Sequence, residues 1–374
     1  MEASSLLLVF ALATTNVGQS FSTEDFAAQN KIYQNWWSTD FETNFDKLPL
    51  KGGVEDSHRP YSGYIYPDTG GGTIRTLRKY DAAFNGRRSL ATSFEQWDTT
   101  SQKERKGRGF FGRGRMRTPH WHGHCNGWAA AAIRHAEPQN SVVRNGYTFT
   151  PSDIKALLAE IYIYREEELF PGSEYYVVNP PTFHLIMTNW LGRQAYPIAM
   201  EGSPGKEKWN YPIYKFDATA NRYNDRLVEV DMTITYSDIL NREYDQAPHN
   251  SKTRRFRYRL DLNSEGNVVG GVYYRGSSQV DMLWAPRPAV QGGQPGNERG
   301  NPHVDVAAVI DIWKDSVPEE VRLAWHNAAP KPAPTPVPEN VTEEPAAETA
   351  SELASDSETE ETAVETTPAA GGGE

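Results

Sequence analysis

The stretch HWHGHCNGWAAAAI, residues 120–133, contains the single cysteine of a 374-residue chain. The four alanines at 129–132 and Ile133 favour a helix, and their small side chains permit close packing against a neighbouring element. Such a helix places Cys125 at its N-terminus, where unpaired amides and the helix dipole stabilise a thiolate. The same amides would face an oxyanion that forms beside the thiol. The sequence therefore predicts a nucleophilic thiol at a helix N-terminus.

Two other interpretations of this stretch stay open. His120, His122 and His124 alternate and would share one face of a strand, and imidazoles in that arrangement can bind zinc. Cys125 would point to the opposite face of such a strand, which argues against a site that uses the thiol as a further ligand. The other alternative is a buried and unreactive cysteine.

A catalytic thiol needs an activating group, because a free cysteine with a pKa of about 8.5 is mostly protonated at neutral pH. A helix terminus and a nearby imidazolium can lower that pKa to roughly 3.5–7.5. The imidazole has to come from elsewhere in the fold. His184 lies in the apolar stretch PPTFHLIMTNW, residues 180–190, and we predict that it is the base for Cys125.

A third group is expected to orient that imidazole. Glu201, in the strand-like stretch AYPIAMEG, is the first candidate, and Asn189 is the competing one. Trp121 and Asn126 flank the cysteine, so we predict that they contribute to the substrate cleft and the oxyanion site.

The negative charge of the chain is concentrated at its C-terminal end. The formal net charge is −11, and residues 331–374 hold eleven acidic residues against one lysine. The remaining chain is close to neutral, which argues against the strongly basic domain of a nucleic-acid-binding protein. Because the end of the chain is also poor in large apolar residues, we predict a disordered acidic tail over 326–374.

The rest of the chain divides into three parts. An apolar run at 6–13, followed by polar residues, predicts a signal peptide over 1–20 and an extracellular protein. Residues 101–117 carry four glycines and seven basic residues, which is typical of a flexible exposed loop. Residues 21–325 are predicted to form one catalytic domain. No stretch approaches the ~18 uninterrupted apolar residues of a membrane span.

Periodicity indicates helices first and strands later. Residues 150–168 predict a helix, with Pro151, Ser152 and Asp153 suited to its N-terminus. Residues 226–238, 253–262 and 267–276 alternate or run with β-branched and aromatic residues, separated by turn-forming residues. This order of elements favours an α+β fold with an antiparallel sheet.

Several separated stretches together resemble the transglutaminase elicitor family of secreted transglutaminases. They are HRPYSGYIYPDTGGG (58–72), LRKYDAAF (77–84), HWHGHCNGWAAAA (120–132), FTPSDIKALLAE (149–160), PPTFHLIMTNWLG (180–192), KWNYPIYKF (208–216) and VVGGVYYRGSSQVDMLWAP (268–286). The resemblance implies a fold similar to papain-like cysteine peptidases, with the nucleophile on a helix and its partners on the following sheet. It also implies calcium dependence, although no acidic loop of EF-hand spacing is present.

The activity implied by the resemblance is protein-glutamine γ-glutamyl transfer. Cys125 would form a thioester with a protein glutamine, and a lysine, a small amine or water would resolve it. The expected partners are therefore proteins that carry glutamine and lysine. A thiol peptidase on the same scaffold and a non-catalytic secreted recognition or adhesive protein are the alternatives.

Overall fold

The computed structural model describes residues 19–101, 104–106, 115–170, 177–202 and 204–325. Three sequence predictions therefore fall largely or wholly outside the described residues. These are the signal peptide over 1–20, of which only residues 19 and 20 are described, most of the basic loop over 101–117, and the acidic tail over 326–374.

Eight α-helices lie in the described part of the chain. Their bounds are α1 (Thr23–Trp37), α2 (Ile74–Phe84), α3 (Leu90–Ser101), α4 (Cys125–Arg134), α5 (Pro151–Tyr162), α6 (Pro180–Ile186), α7 (Val306–Ser316) and α8 (Glu319–Ala324). A π-helical segment, Met187–Arg193, directly continues α6.

The described strands number fifteen. Their bounds are β1 (Gln19–Ser20), β2 (Lys51–Gly53), β3 (Gly63–Tyr64), β4 (Glu104–Lys106), β5 (Arg115–Arg117), β6 (Val142–Arg144), β7 (Tyr147–Phe149), β8 (Glu166–Phe170), β9 (Ile198–Glu201), β10 (Asn210–Asn224), β11 (Leu227–Ser237), β12 (Ile239–Leu240), β13 (Ser251–Leu262), β14 (Val268–Tyr273) and β15 (Met282–Pro286).

Nine of these strands form one sheet in the order β1-β14-β13-β11-β10-β9-β15-β8, with β2 added beside β10. Every pair in this sheet is antiparallel. Buried and half-buried residues alternate along β11, as expected for a strand with one face on the core. The α+β class predicted from the sequence is confirmed.

The elements predicted from periodicity appear close to their expected positions. The helix predicted at 150 begins at Pro151, and a capping box between Thr150 and Asp153 fixes its start. It ends at Tyr162 rather than near 168, because the chain enters β8 at Glu166. The three predicted strands correspond to β11, β13 and β14.

The helix that carries Cys125 packs between α5 and the sheet strands β9, β10 and β15. All four alanines of α4 are fully buried, so small side chains let the helix approach its neighbours closely. A Cβ at Gly127 would collide with the Ala159 carbonyl oxygen of α5, and only glycine permits this approach. The small residues of NGWAAAA therefore allow α4 to pack closely against its neighbours.

Candidate active site

Cys125 is the first residue of α4, and its side chain is buried. The segment before it is held by the chain at 65–67: the His124 amide donates to the Ile65 carbonyl at 2.7 Å, and Gly123 forms a β-bridge with Pro67. The thiol has two polar contacts from the strand side. Asn210 Nδ2 lies 3.5 Å from Sγ, and Sγ lies 3.6 Å from the Lys208 carbonyl oxygen.

Asn210 owes its position to three neighbouring strands. It begins β10 and lies opposite Glu201, the last residue of β9, which in turn lies opposite Met282 of β15. The Trp284 indole of β15 donates to Asn210 Oδ1 at 2.8 Å. Since the amide oxygen is used in this way, the NH₂ group of Asn210 is turned to the sulfur.

A charged group of three residues lies beside Asn210. The Lys208 ammonium pairs with Glu201 Oε1 at 3.0 Å and also with the Asp281 carboxylate. Glu201 and Asp281 are both buried. Burial raises the pKa of Glu201 to about 8, with Lys208 lowering it and Asp281 raising it further. Both the protonated and the ionised form of Glu201 are therefore accessible near neutral pH, so this carboxyl group can accept a proton and give it back.

The pKa of Cys125 is raised above its usual value, whereas the sequence predicted a lowered one. Burial is the main cause, and the Glu201 carboxylate adds to it. Hydrogen bonds from Asn210 and from the Asn126 amide act in the opposite direction but do not outweigh burial. The resting thiol is consequently protonated, and its reaction requires transfer of that proton to a base.

Cys125 opens on a cleft of about 200 Å³. Trp121, His122, Asn126 and Tyr164 also line this cleft, so two of the residues predicted for the substrate site lie in it. The Asn126 side chain is turned toward α5 and β8, where it donates to the Ile163 carbonyl and to Glu166. Its backbone amide, rather than its side chain, is directed at the sulfur.

The structure does not bring His184 to Cys125. Its helix, α6, packs on β13, β14 and β1, while α4 packs on β9, β10 and β15. His184 Nδ1 lies 2.8 Å from the Tyr258 hydroxyl, and the ring stacks on Phe45. Tyr258 is in register with Ala220 through β11, and Ala220 is ten residues from Asn210, roughly 30 Å along the strand.

Burial lowers the pKa of His184 to about 3, so the ring is neutral. Asn189, the alternative to Glu201, is also away from the thiol. Its amide bonds the backbone of Glu42 and the carbonyl of Leu185. Of the three predicted partners of Cys125, only Glu201 is on a strand next to the thiol, where it lies opposite Asn210, whose amide contacts Sγ.

The three alternating histidines do not converge. His120 is exposed and lies 3.5 Å from Glu207, and His122 lines the cleft. His124 is buried, with Nε2 3.1 Å from Glu160 and 3.5 Å from Glu95. A zinc site that uses all three histidines, one of the alternatives from the sequence, is therefore excluded by their placement.

Glu95, His124 and Glu160 form the one cluster of possible metal ligands found among the described residues. Calcium prefers six to eight oxygen ligands. This cluster offers a nitrogen, and Glu160 already accepts hydrogen bonds from Thr73 at 2.6 Å and Asn301 at 2.8 Å. The donor set fits a buried ion-pair network and does not fit calcium.

Sequence reasoning missed Asn210, Lys208 and Asp281 as neighbours of the thiol. A signal for the first was available, because pairing IAME at 198–201 with NYPI at 210–213 across a loop sets Asn210 opposite Glu201. No comparable local signal marks Asp281, which reaches the site through the pairing of β15 with β9.

Comparison with known proteins relates this fold to a family. Residues 96–177, which include Cys125, match the family model described as transglutaminase elicitor. The structure is similar to the crystal structure of the GP42 transglutaminase from Phytophthora sojae, with a TM-score of 0.62 and 22% sequence identity. That similarity covers 80% of this chain and 99% of the other. A search of curated proteins found no match. The family match over residues 96–177 and the shared fold confirm the resemblance to the transglutaminase elicitor family that was predicted from the sequence.

Proposed function

We propose that the protein transfers the γ-acyl group of a protein glutamine through a thioester on Cys125. The observation that carries this proposal is the buried thiol at the start of α4, which opens on a cleft and contacts Asn210, the strand partner of Glu201, a carboxyl whose pKa is near 8. A proton-transfer group works best when its pKa lies near the working pH. The family match to transglutaminases supports the same reaction.

In the first step the ionised form of Glu201 takes the thiol proton, the sulfur attacks the carboxamide carbon of glutamine, and the carbonyl oxygen takes the negative charge. The Asn126 amide is directed at this region and would donate to the oxyanion. The C–N bond then breaks, and ammonia leaves with a proton from Glu201, giving the thioester. A lysine amine then attacks the thioester and forms the isopeptide bond, or water attacks and leaves glutamate. Glu201 takes the proton of the attacking group, the C–S bond breaks, and that proton passes to the sulfur, which restores the thiol.

Asn210 would act on the sulfur rather than on the substrate. Its NH₂ group donates to Sγ and would stabilise the thiolate, and Trp284 holds it in that orientation. In this proposal Glu201 replaces His184 as the proton-transfer group of Cys125. We also propose that the fold is papain-like, because the thiol lies on a helix that packs on an antiparallel sheet.

The proposed place of action is outside the cell, on proteins that carry glutamine and lysine. It rests on the apolar run at 6–13 and on the family match. In the part of the chain that the structure describes, every helix is too short or too polar to span a bilayer.

The test is incorporation of monodansylcadaverine into casein. We expect Cys125→Ala to abolish incorporation while its circular dichroism spectrum and melting temperature stay those of the wild type. Full incorporation by that variant would refute the proposal. Mass spectrometry of the same reaction separates the thiol peptidase, which would cleave casein, from the transferase. A non-catalytic protein would show neither reaction.

A second comparison tests which group moves the proton. Glu201→Gln removes the carboxyl beside the thiol, and His122→Gln removes the imidazole that lines the same cleft. We expect incorporation to fall about 10²–10⁴-fold in Glu201→Gln and much less in His122→Gln. The reverse order would assign the proton transfer to His122.

A further inference from the structure

The side chain of His124, immediately before the proposed nucleophile, is enclosed by two acidic residues. Its ring is 1% exposed and lies against Glu160 of α5 at 3.1 Å and Glu95 of α3 at 3.5 Å. Tyr66 contacts the ring edge-on. Both carboxyl groups are themselves buried, at 3% and 2% exposure. The proposed reaction uses none of these three residues.

The surroundings of Glu160 hold it in one place. The Thr73 hydroxyl donates to Glu160 Oε2 at 2.6 Å, and Asn301 Nδ2 donates to Oε1 at 2.8 Å. The Thr73 amide donates to Glu95 at 3.1 Å. Four separate parts of the chain, at 73, 95, 160 and 301, therefore fix the position of one imidazole.

Charge strengthens this enclosure. Burial alone would lower the pKa of His124, but Glu95 and Glu160 outweigh burial and raise it to about 10. The Asp68 carboxylate acts in the same direction. The ring is an imidazolium at neutral pH and is held mainly by Glu160, whose pKa is lowered, against the effect of burial, by its hydrogen bond to the ring, whereas burial raises the pKa of Glu95 to about 8.

The backbone of His124 transmits this position to Cys125. The His124 amide donates to the Ile65 carbonyl at 2.7 Å, and its carbonyl accepts from the Trp128 amide at 2.8 Å. His124 is thus the residue from which α4 begins, and Cys125 follows it directly. A shift of the ring would move the first turn of α4, including the thiol and the Asn126 amide.

We infer that His124 is a positioning residue for Cys125, and that Glu95 and Glu160 hold it for that purpose. This inference rests on the proposed acyl transfer for its catalytic consequence. Its structural consequence, the geometry and reactivity of the thiol, does not depend on which reaction the protein catalyses.

A second ion pair of α5, in which the lysine is buried and the glutamate is half-buried, provides a control. Lys155 of α5 is 6% exposed, and its ammonium lies 2.7 Å from Glu137. This pair also joins α5 to another part of the chain, but neither residue adjoins the thiol. Glu137→Gln and Glu160→Gln each remove one carboxylate from an ion pair that joins α5 to another part of the chain. Only Glu160→Gln is expected to change the position of Cys125.

The readout uses the fact that the chain has a single cysteine, so iodoacetamide alkylation reports Cys125 alone. The full-length variants Glu160→Gln, His124→Gln and Glu137→Gln are compared with the wild type at temperatures well below their melting transitions. The rate of alkylation is measured against pH, and kcat and KM are measured for amine incorporation. Thr73→Val, which removes only the hydroxyl that bonds Glu160, serves as a mild variant that should fold even if the others do not.

We expect Glu160→Gln and His124→Gln to move the alkylation midpoint upward by at least half a pH unit and to lower kcat about 10- to 100-fold, with KM changed less than about threefold. Thr73→Val should change the alkylation midpoint and kcat in the same direction by a smaller amount. Glu137→Gln should lower the melting temperature without changing the alkylation midpoint or kcat.

Midpoints and kcat values that change equally in Glu160→Gln and Glu137→Gln would overturn the inference. If the wild type incorporates no amine, the proposed function fails, and the alkylation midpoints still decide the role of His124.

Discussion

At the scale of single residues, Asn210 is a group that opposes the effect of burial on the pKa of the Cys125 thiol. Its amide is the side-chain donor to Sγ, and Trp284 prevents it from turning round. We expect Asn210→Asp to set a carboxylate against the sulfur and to raise the alkylation midpoint of Cys125 by about one pH unit. Amine incorporation should fall about 10²-fold.

The control for this prediction lies on the same strand. Asn221 is exposed on β10, and Asn221→Asp makes the identical chemical change away from the thiol. It should leave both the alkylation profile and the incorporation rate as they are in the wild type. An unchanged alkylation midpoint in Asn210→Asp would mean that the amide does not govern the thiol.

His184 yields a prediction about acid stability rather than catalysis. Its pKa in the folded protein is about 3, below the ordinary value of 6.5, because the ring is fully buried. Between these two values the unfolded chain binds a proton that the folded protein does not. The contribution of His184 is therefore present above pH 6.5 and is lost as pH falls, by up to about 1.4 kcal/mol per pH unit.

The measurement is urea unfolding at a series of pH values between 6.5 and 4. His184→Gln, which cannot titrate, should show a shallower loss of stability than the wild type over this range. Incorporation at pH 7.5 by the folded variant should persist, since His184 is not near Cys125. Loss of incorporation with unchanged stability would return His184 to the catalytic group.

The residues show where sequence reasoning reaches its limit. Cys125 and Glu201 were predicted because one is a single cysteine before a helix and the other ends a strand-like stretch after it, and the structure places them on elements that pack together. His184 was chosen by its apolar setting, but a deeply buried histidine is equally well explained by a hydrogen bond to Tyr258 and stacking on Phe45. A sequence does not state which of two distant parts of a large sheet a helix packs against.

At the scale of elements, the seating of α4 against α5 depends on Gly127. An added methyl group would meet the Ala159 carbonyl oxygen, which belongs to the α5 backbone and cannot rotate away. Gly127→Ala should therefore destabilise the fold by about 1–3 kcal/mol and displace the first turn of α4. The expected result is a lower urea midpoint and slower amine incorporation in the protein that remains folded.

Gly70→Ala is the matched substitution, since its new methyl group would meet only Pro67, at 3.8 Å, and its backbone is not left-handed. It should change the free energy of unfolding by less than about 0.5 kcal/mol. Equal effects of the two substitutions would show that the close approach of α4 and α5 does not limit stability.

The bounds of elements with a strong local pattern were predictable, whereas the bounds and the pairing of short buried strands were not. The capping box at Thr150 and Asp153 defines the start of α5, and alternation defines β11. By contrast, all four residues of β9 are buried, so no alternation marks this strand. Since β9 and its neighbours β10 and β15 bring Glu201, Asn210 and Asp281 together, the part of the fold that completes the site was the part that the sequence left least defined.

At the scale of the whole molecule, Trp325 is the last residue that the structure describes, and it packs against the end of α4. This residue is 6% exposed, and its indole donates to the Ile133 carbonyl at the far end of α4 at 2.9 Å. Trp325→Ala should destabilise the fold by about 3 kcal/mol. The acidic tail over 326–374 was predicted from its composition to remain disordered, so it should add no such packing.

A paired experiment separates these two contributions. Deletion of 332–374 removes eleven acidic residues and should leave the melting temperature and amine incorporation close to those of the full chain, while elution from an anion exchanger shifts to lower salt. Trp325→Ala in the full-length chain should lower the melting temperature by several degrees. A large loss of stability on deletion would contradict the predicted disorder of the tail and would mean that the acidic region packs on the catalytic domain.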